Sequence, residues 1–407
     1  MSDSCAHCLP TVRRGHGAGH VQYWIEWFLR PFLWFGFWGG AMLPVDVRVR
    51  FRMAVCACLR ALRVLTLDDD VTGSAIFERS RMFLREAQER GLRVWSVRLF
   101  GRRLANEFAF RYRGRTYHFE GTPLHVWAAP RVDVDDKAAV KRVLAAAGIP
   151  VSSGRAFRTR RAAQRYGEQF GYPLVVKPIN GSLGHHVTTG ITDRGALEEA
   201  IAIAYRYCPM VLVERHIPGS LYRVTVLDGQ HVFACRKDPA SVSGDGRSTI
   251  RELVTALNAQ PGRGARDNRG STLHVVACDE IMAACLRRQG STFDDVPGAG
   301  DLVALHDRAL LTLGCSITSV TDQLHPANRA LFCRAAATLG VTVVGFDVIA
   351  QDLARPADAQ PFGIIEANSL PYLDMHANPS HGQPDPIAAT CWDGALARLE
   401  ASRGGIV

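Results

Sequence analysis

Two apolar runs that carry acids constrain this chain most. VTVVGFDVIA (341–350) sets Asp347 among valine, phenylalanine and isoleucine, and FGIIEAN (362–368) does the same for Glu366 and Asn368. Both runs are rich in β-branched and aromatic residues and read as strands. Glu366 and Asn368 are two apart and so share one face. A fold that buries such strands must give each carboxylate a cation or a hydrogen-bonding partner, because an unpaired buried charge is strongly disfavoured. Two carboxylates and an amide oxygen on neighbouring strands are hard ligands of the kind magnesium takes together with nucleotide phosphates. Satisfaction by arginine or backbone donors is the competing reading.

Lysine placement is the second constraint. Of 48 basic residues only Lys137, Lys141, Lys177 and Lys237 are lysine, all within 137–237. A chain otherwise committed to arginine keeps lysine where a compact point charge differs from a planar guanidinium, unless the bias reflects coding composition alone. Lys177 lies in VVKPINGSLGHHV (175–187), just ahead of a loop with two glycines. Such a loop can cradle phosphates with backbone N–H groups, and a plain hairpin turn is the alternative. No Walker loop and no GxGxxG after a strand accompanies it.

Composition limits the remaining classes. With 407 residues and 47% apolar composition the chain is globular and long enough for two or three domains. Residues 79–131 hold twelve arginines against four acids, so the +9 net charge is concentrated there. That stretch reads as a solvated surface or as a face for an anionic substrate or membrane; no nucleic-acid module accompanies it, and no nucleic-acid partner is expected. Eleven scattered cysteines fit a reducing cytoplasm. Cys5, Cys8, His16 and His20 offer zinc-type ligands at an unusual spacing, in what otherwise reads as a tail. Residues 21–45 contain four of the seven tryptophans, and 31–45 carry no charge. The run is too short to span a bilayer. Three readings stand: a peripheral membrane anchor, a segment docking on a partner, or sequence upstream of a start at Met42 or Met53.

Periodicity predicts helices over 74–91, 133–148, 193–207, 248–259, 279–289 and 326–339. Strands are expected at 92–100, from Pro173, near 186–189 and at 211–219, with hairpins turning at Arg113–Gly114 and Asp228–Gly229. Residues 237–320 read as a glycine-rich insertion. The expected organisation is an aromatic segment (1–55), a basic α/β subdomain (56–134) and an α+β domain (135–400).

Eight motifs in order carry a resemblance: DKAAVKRVLAAAGIPV (136–151), VVKPINGSLGHHV, VERHIPG from Val213, YRVTV (222–226), SGDGRSTIREL (243–253), HPAN (325–328), GFDVI (345–349) and EANSLPYLDMHANPSHG (366–382). The chain from about 135 to 385 resembles the ATP-grasp ligases, in particular the ATP-grasp portions of cyanophycin synthetases and bifunctional glutathione synthetases. The resemblance implies the ATP-grasp fold behind a small α/β subdomain. It implies an ADP-forming reaction in which a carboxylate attacks the γ-phosphate and an amine captures the acyl phosphate. On this resemblance Lys137 and Lys177 hold the nucleotide phosphates, and Asn180, Gly181, Ser182 and Gly184 form the loop that closes over them. Glu214, with the backbone around Arg215 and Ile217, meets adenine. Arg223, Arg236 and Lys237 stabilise the transferring phosphoryl group, and Asp347, Glu366 and Asn368 hold Mg2+, with Mn2+ as an alternative ion.

Three departures stand out. Leu221 replaces the usual ribose-binding acid, His185–His186 replace small or basic loop residues, and LLTLGCSITSV (310–320) departs from the serine- and glycine-rich loop of the cyanophycin-type amino-acid site. No Mur-ligase-like second catalytic region is expected after residue 400, which favours a stand-alone ligase over a two-step polymerase. The expectation is a cytoplasmic, homo-oligomeric amide ligase for amino-acid or short-peptide carboxylates and amines; a phosphotransferase or a tethered nucleotide-binding scaffold is the alternative.

Overall fold

A computed structural model describes residues 45–72, 76–124, 127–128, 130–179, 184–265, 268 and 270–404. The expectations for 21–44, for Cys5, Cys8, His16 and His20, for Met42, and for Asn180, Gly181 and Ser182 lie outside the described residues. The chain forms an α+β fold whose described residues divide into two discontinuous compact units, one containing 130–222 and 323–369, the other 45–128, 223–322 and 370–404.

In the first unit, strands Gly154–Phe157, Val211–Arg215, Leu174–Pro178 and Thr188–Ile191 form an antiparallel sheet in that order. Its alternation decides which residues meet what. Leu174, Val176, Val211 and Val213 point to one face, where the helices Arg160–Phe170 and Arg194–Tyr205 bury them with Ala163, Leu197, Ala200 and Ile201. Lys177 and Glu214 are thereby turned to the opposite face. The two helices approach closely at Gly167, where a Cβ would stand 2.7 Å from Leu197 Cδ2. A helix-interior glycine costs about 1 kcal/mol against alanine, so close packing explains its presence.

Strands Val343–Ala350 and Phe362–Asn368 pair antiparallel in the same unit, with a bulge between Asp347 and Val348. Phe346, Val348, Ala350 and Ile364 are fully buried, and Phe332 of helix Pro326–Leu339 stacks 5.9 Å from Phe346. That helix begins with proline in its first turn and ends at Gly340 with φ of +73°, the left-handed geometry glycine supplies without strain. Helix Lys137–Ala146 starts later than its acidic run predicts. Asp136 is its N-cap and accepts from Ala138 and Ala139 N–H at 3.0 Å, which leaves Asp133 in the preceding turn.

In the second unit, strands Leu65–Asp68, Arg93–Leu99, Arg102–Tyr112 and Arg115–Glu120 form an antiparallel sheet. Phe108, Phe110, Tyr117 and Phe119 pack on one face with helix Glu78–Glu89 and with Trp392 of helix Ile387–Gly404. Trp392 lies edge-on to Phe110 at 4.9 Å and donates from Nε1 to the Phe83 carbonyl at 2.9 Å. Helix Val45–Ala61 covers the other face through Cys56 and Leu59, against Trp95 and Val97; Met53 lies within it. Further on, strands Ser316–Ser319, His231–Asp238 and Ser220–Leu227 are adjacent in that order.

The insertion is more regular than its glycine content suggests. Helices Ile250–Asn258 and Glu280–Arg288, with the paired strands Ser241–Ser243 and Leu302–Ala304, enclose a core of Val242, Ile250, Val254, Met282, Leu286, Val303 and Leu305. A capping box between Thr249 and Glu252 starts the first helix.

The arginine-rich stretch is largely neutralised. Arg81 and Arg85 meet Glu78, Arg90 meets Glu86 and Asp393, Arg93 meets Asp69, Arg98 and Arg103 meet Asp68, and Arg113 meets Glu400. Most of these acids lie outside 79–131, so the charge excess of that window overstates the field it projects. Among the described residues no helix is long and apolar enough to cross a membrane.

Candidate active site

Helix Lys137–Ala146 sets Lys137 and Lys141 four residues apart, hence on one face, and both are buried. On the inner sheet face Glu214 lies diagonally across from Lys177, since Val175 pairs with Glu214 and Lys177 with Leu212. Lys177 Nζ stands 2.8 Å from Glu214 Oε2 and donates to the Ile365 carbonyl at 3.3 Å. The other Glu214 oxygen pairs with Lys141, whose Nζ also contacts Ser152 Oγ. Lys137 Nζ is 3.4 Å from Glu366 Oε1. Three of the four lysines thus meet two glutamates within one unit.

Of these three retained lysines only Lys137 and Lys177 were given a role from sequence. Lys141 was named without one, and its spacing from Lys137 was the available signal. Burial pushes the Lys177 ammonium down to about 8, with Glu366 opposing the shift and Lys137 adding to it. Burial likewise drives Lys141 well below its ordinary range, and repulsion from Lys177 and Lys137 reinforces this. A cluster of crowded lysines is poised to accept polyanionic oxygens, which relieve both penalties.

Asp347 and Glu366 are direct cross-strand partners, and Asn368 lies opposite Gly345. All three are half-buried, so the acids escape full burial by occupying the open face of an otherwise apolar hairpin. Asn368 Nδ2 donates to the Gly345 carbonyl at 3.3 Å. Two facing carboxylates with an amide in the same strand fit a hard divalent cation such as Mg2+. Ser369 ties the end of this strand to Asp135 at 2.8 Å, just upstream of Lys137.

The remaining candidates have more structural roles than the sequence suggests. Arg215 caps the end of helix Arg160–Phe170, donating to the carbonyls of Phe170, Gly171 and Tyr172 at 2.5, 3.1 and 3.4 Å. Its own N–H bonds Ser153 O, and that of His216 bonds Pro173 O. Ile217 packs against Gly363, where a Cβ would lie 2.5 Å from Ile217 Cδ1. Gly184 takes a positive φ. His186 contacts Ile203 O through Nδ1 at 2.7 Å and lies against Tyr207, so the unusual histidines fasten the exit of the glycine loop. A 920 Å3 groove lined by Ala138, Lys141, Ser152, Gly154, Leu212 and Asn328, among others, touches only Lys141 of the three lysines.

Arg223, Arg236 and Lys237 belong to the second unit. Strand alternation puts Lys237 with the buried Cys235, on which Arg223 also acts electrostatically. Arg236 points to the other face and pairs with Asp238 at 2.9 Å. The same unit holds a buried relay whose Thr225 and His376 lie in two of the motifs but were given no role from sequence. His376 Nε2 lies 2.8 Å from Thr225 Oγ1, its Nδ1 lies 3.4 Å from Asp385, and Thr321 donates to Asp385 at 2.9 Å.

No family model matches the chain. Among curated proteins it is 35% identical over 259 residues to cyanophycin synthetase of Trichormus variabilis, covering 63% of this chain and 28% of that protein. It is 33% identical over 256 residues to the bifunctional glutathione biosynthesis protein of Mannheimia succiniciproducens, covering 61% and 34%. The chain therefore spans about a third of the length of these relatives. The crystal structure of bifunctional glutathione synthetase from Pasteurella multocida superposes with a TM-score of 0.63 at 25% identity, covering 81% of this chain and 46% of that one. The motifs, the antiparallel sheets and these relatives together make this chain an ATP-grasp fold protein, related to the cyanophycin and bifunctional glutathione synthetases.

Proposed function

We propose that the chain is an ATP- and Mg2+-dependent carboxylate–amine ligase acting on amino acids or a short peptide. The observation that carries this is the cluster of Lys137, Lys141 and Lys177 around Glu214 and Glu366, with Asp347 opposite Glu366. Phosphoryl transfer needs positioned cations more than covalent assistance, and this cluster concentrates positive charge where burial strengthens it. Lys137 and Lys177 are the proposed phosphate ligands. Lys141 holds Glu214 in place, and Glu214, with the backbone of 215–217, is the proposed adenine contact.

A carboxylate oxygen of the first substrate forms a bond to the γ-phosphorus while the β,γ-bridging oxygen leaves with ADP. The amine nitrogen of the second substrate then bonds the acyl carbon, inorganic phosphate leaves with the C–O bonding pair, and the nitrogen gives up a proton. Arg223 and Lys237 are the proposed stabilisers of the acyl phosphate, ahead of Arg236 with its own acid. A divalent ion held by Asp347, Glu366 and Asn368 would neutralise phosphate charge.

The test is ADP release with Mg-ATP and pooled amino acids and dipeptides, resolved pairwise, with Glu366→Ala as the blank. Release that needs two substrates and joins them with loss of water supports the ligase. A phosphorylated product from one substrate replaces it with a phosphotransferase. Tight ATP binding that Lys177→Met leaves unchanged would overturn the site assignment.

A further inference from the structure

Helix Val45–Ala61 is apolar on both sides, and only one of them is used. Its inner side sends Cys56 and Leu59 into the sheet. Its outer side carries Val47, Phe51 and Val55, continued by Leu62 just past its end, exposed by 40, 67, 40 and 66%. These are half of the eight large apolar side chains exposed among the described residues. They are clustered rather than scattered, which marks a contact surface. Ala54, Cys58 and Ala61 are exposed between them, so positions 47, 51, 54, 55, 58, 61 and 62 form one continuous helical stripe.

The arginines around this stripe divide in the same way. Arg48 and Arg52 turn inward, to the Ala128 carbonyl at 2.8 Å and to Glu107 at 2.9 Å. Arg50, Arg60 and Arg63 are exposed. Asp46 is the only acid in 45–63. Immediately ahead in sequence come residues 31–44, uncharged and rich in tryptophan and phenylalanine.

We propose that this face lies on an anionic lipid surface, with Phe51, Val55 and Leu62 in the acyl boundary and Arg50, Arg60 and Arg63 at the phosphate level. Aliphatic and aromatic side chains flanked by arginine, next to an aromatic-rich segment, are what an in-plane interfacial element requires. A second copy of the chain is a poorer occupant. A 17-residue helix about 25 Å long and 10 Å wide offers roughly 250 Å2, far below the roughly 800 Å2 per partner of a stable interface. Pairing would also bring like-charged arginines together. The proposal is independent of the catalytic reading.

The experiment is co-sedimentation of the full chain with sucrose-loaded vesicles of phosphatidylcholine, with and without phosphatidylglycerol. Binding to the anionic vesicles that weakens with salt is expected. The Phe51→Ser/Val55→Ser/Leu62→Ser variant should lower the partition coefficient by at least about tenfold, from lost apolar burial, with an unchanged thermal melt. Arg50→Glu/Arg60→Glu/Arg63→Glu should abolish the preference for anionic lipid. Should the triple serine variant not fold, Phe51→Ser alone is read in its place. Wild-type protein that sediments with neither vesicle, or serine variants that bind as wild type does, overturns the proposal. So does light scattering that shows a dimer dispersed by the serine substitutions without vesicle binding.

Discussion

Two buried polar clusters, one in each unit, show how differently a fold can treat charge. The cluster around Glu214 keeps three ammonium groups and two carboxylates in close contact, and burial depresses two of the lysines. The relay around His376 holds one imidazole between a threonine and an aspartate, and burial lowers its basicity, with Asp385 opposing the shift. In the relay Thr225 and Asp385 flank the ring, and Thr321 donates to Asp385. In the lysine cluster each ammonium has a carboxylate partner, yet burial and mutual repulsion still depress two of them, a penalty that an added anion would relieve. The difference sets the proposed phosphate site apart from a fastening, although both look alike as buried polar residues.

Substitutions can break that contrast. Glu366→Ala should cost the largest factor, about a thousandfold or more in ADP-forming turnover, with little change in melting temperature because Glu366 is half-buried. Glu214→Gln should cost stability instead, about 3–5 kcal/mol in denaturant unfolding, because it strips the carboxylate from between Lys141 and Lys177. His376→Ala should cost less, about 1–3 kcal/mol for the partners left unmatched, and should leave the ATP dissociation constant unchanged. A shift in that constant would show that the relay is not merely a fastening.

The two clusters also titrate in separate windows. Lys177 falls to about 8 in the folded chain, against about 10.4 unfolded. The unfolded state therefore binds more protons between these values, and stability rises with pH across that range. Phosphate binding favours the charged form, so ATP binding at pH 8.5 should take up a proton, seen by calorimetry as a heat that depends on the buffer. His376, lowered from its ordinary value, should make stability fall as pH drops below about 6.5. The smallest effect belongs to Arg93→Ala at the exposed pair with Asp69; melting should not move.

Much of the scaffold was legible because its signals are local. Glycines that take a left-handed conformation end helices where expected, at Gly91, Gly148 and Gly340, and the hairpin turns at Arg113–Gly114 and Asp228–Gly229 both show positive φ. Helix Arg160–Phe170 was not expected. Ala163 and Gly167 are its buried residues, with Tyr166 and Phe170 packed beside them, a stripe at helical spacing that is short and set among charged and polar residues, and so easily passed over. Lys141 was named among the retained lysines but given no role, because its partner Glu214 lies 73 positions away. The charge of the arginine stretch was misjudged for the same reason, since Asp393 and Glu400 lie at the far end of the chain.

Trp392 has a consequence for the order of synthesis. The aromatic sheet of residues 93–120 emerges from the ribosome early, yet Trp392 and Leu399 belong to its core. A nascent chain therefore carries an incomplete aromatic surface through most of translation, while domains commonly fold as soon as they emerge. The sheet is made well before residue 392 and closes only after it, so a chain stalled shortly before residue 392 would present Phe108, Phe110 and Phe119 to whatever chaperone is at hand.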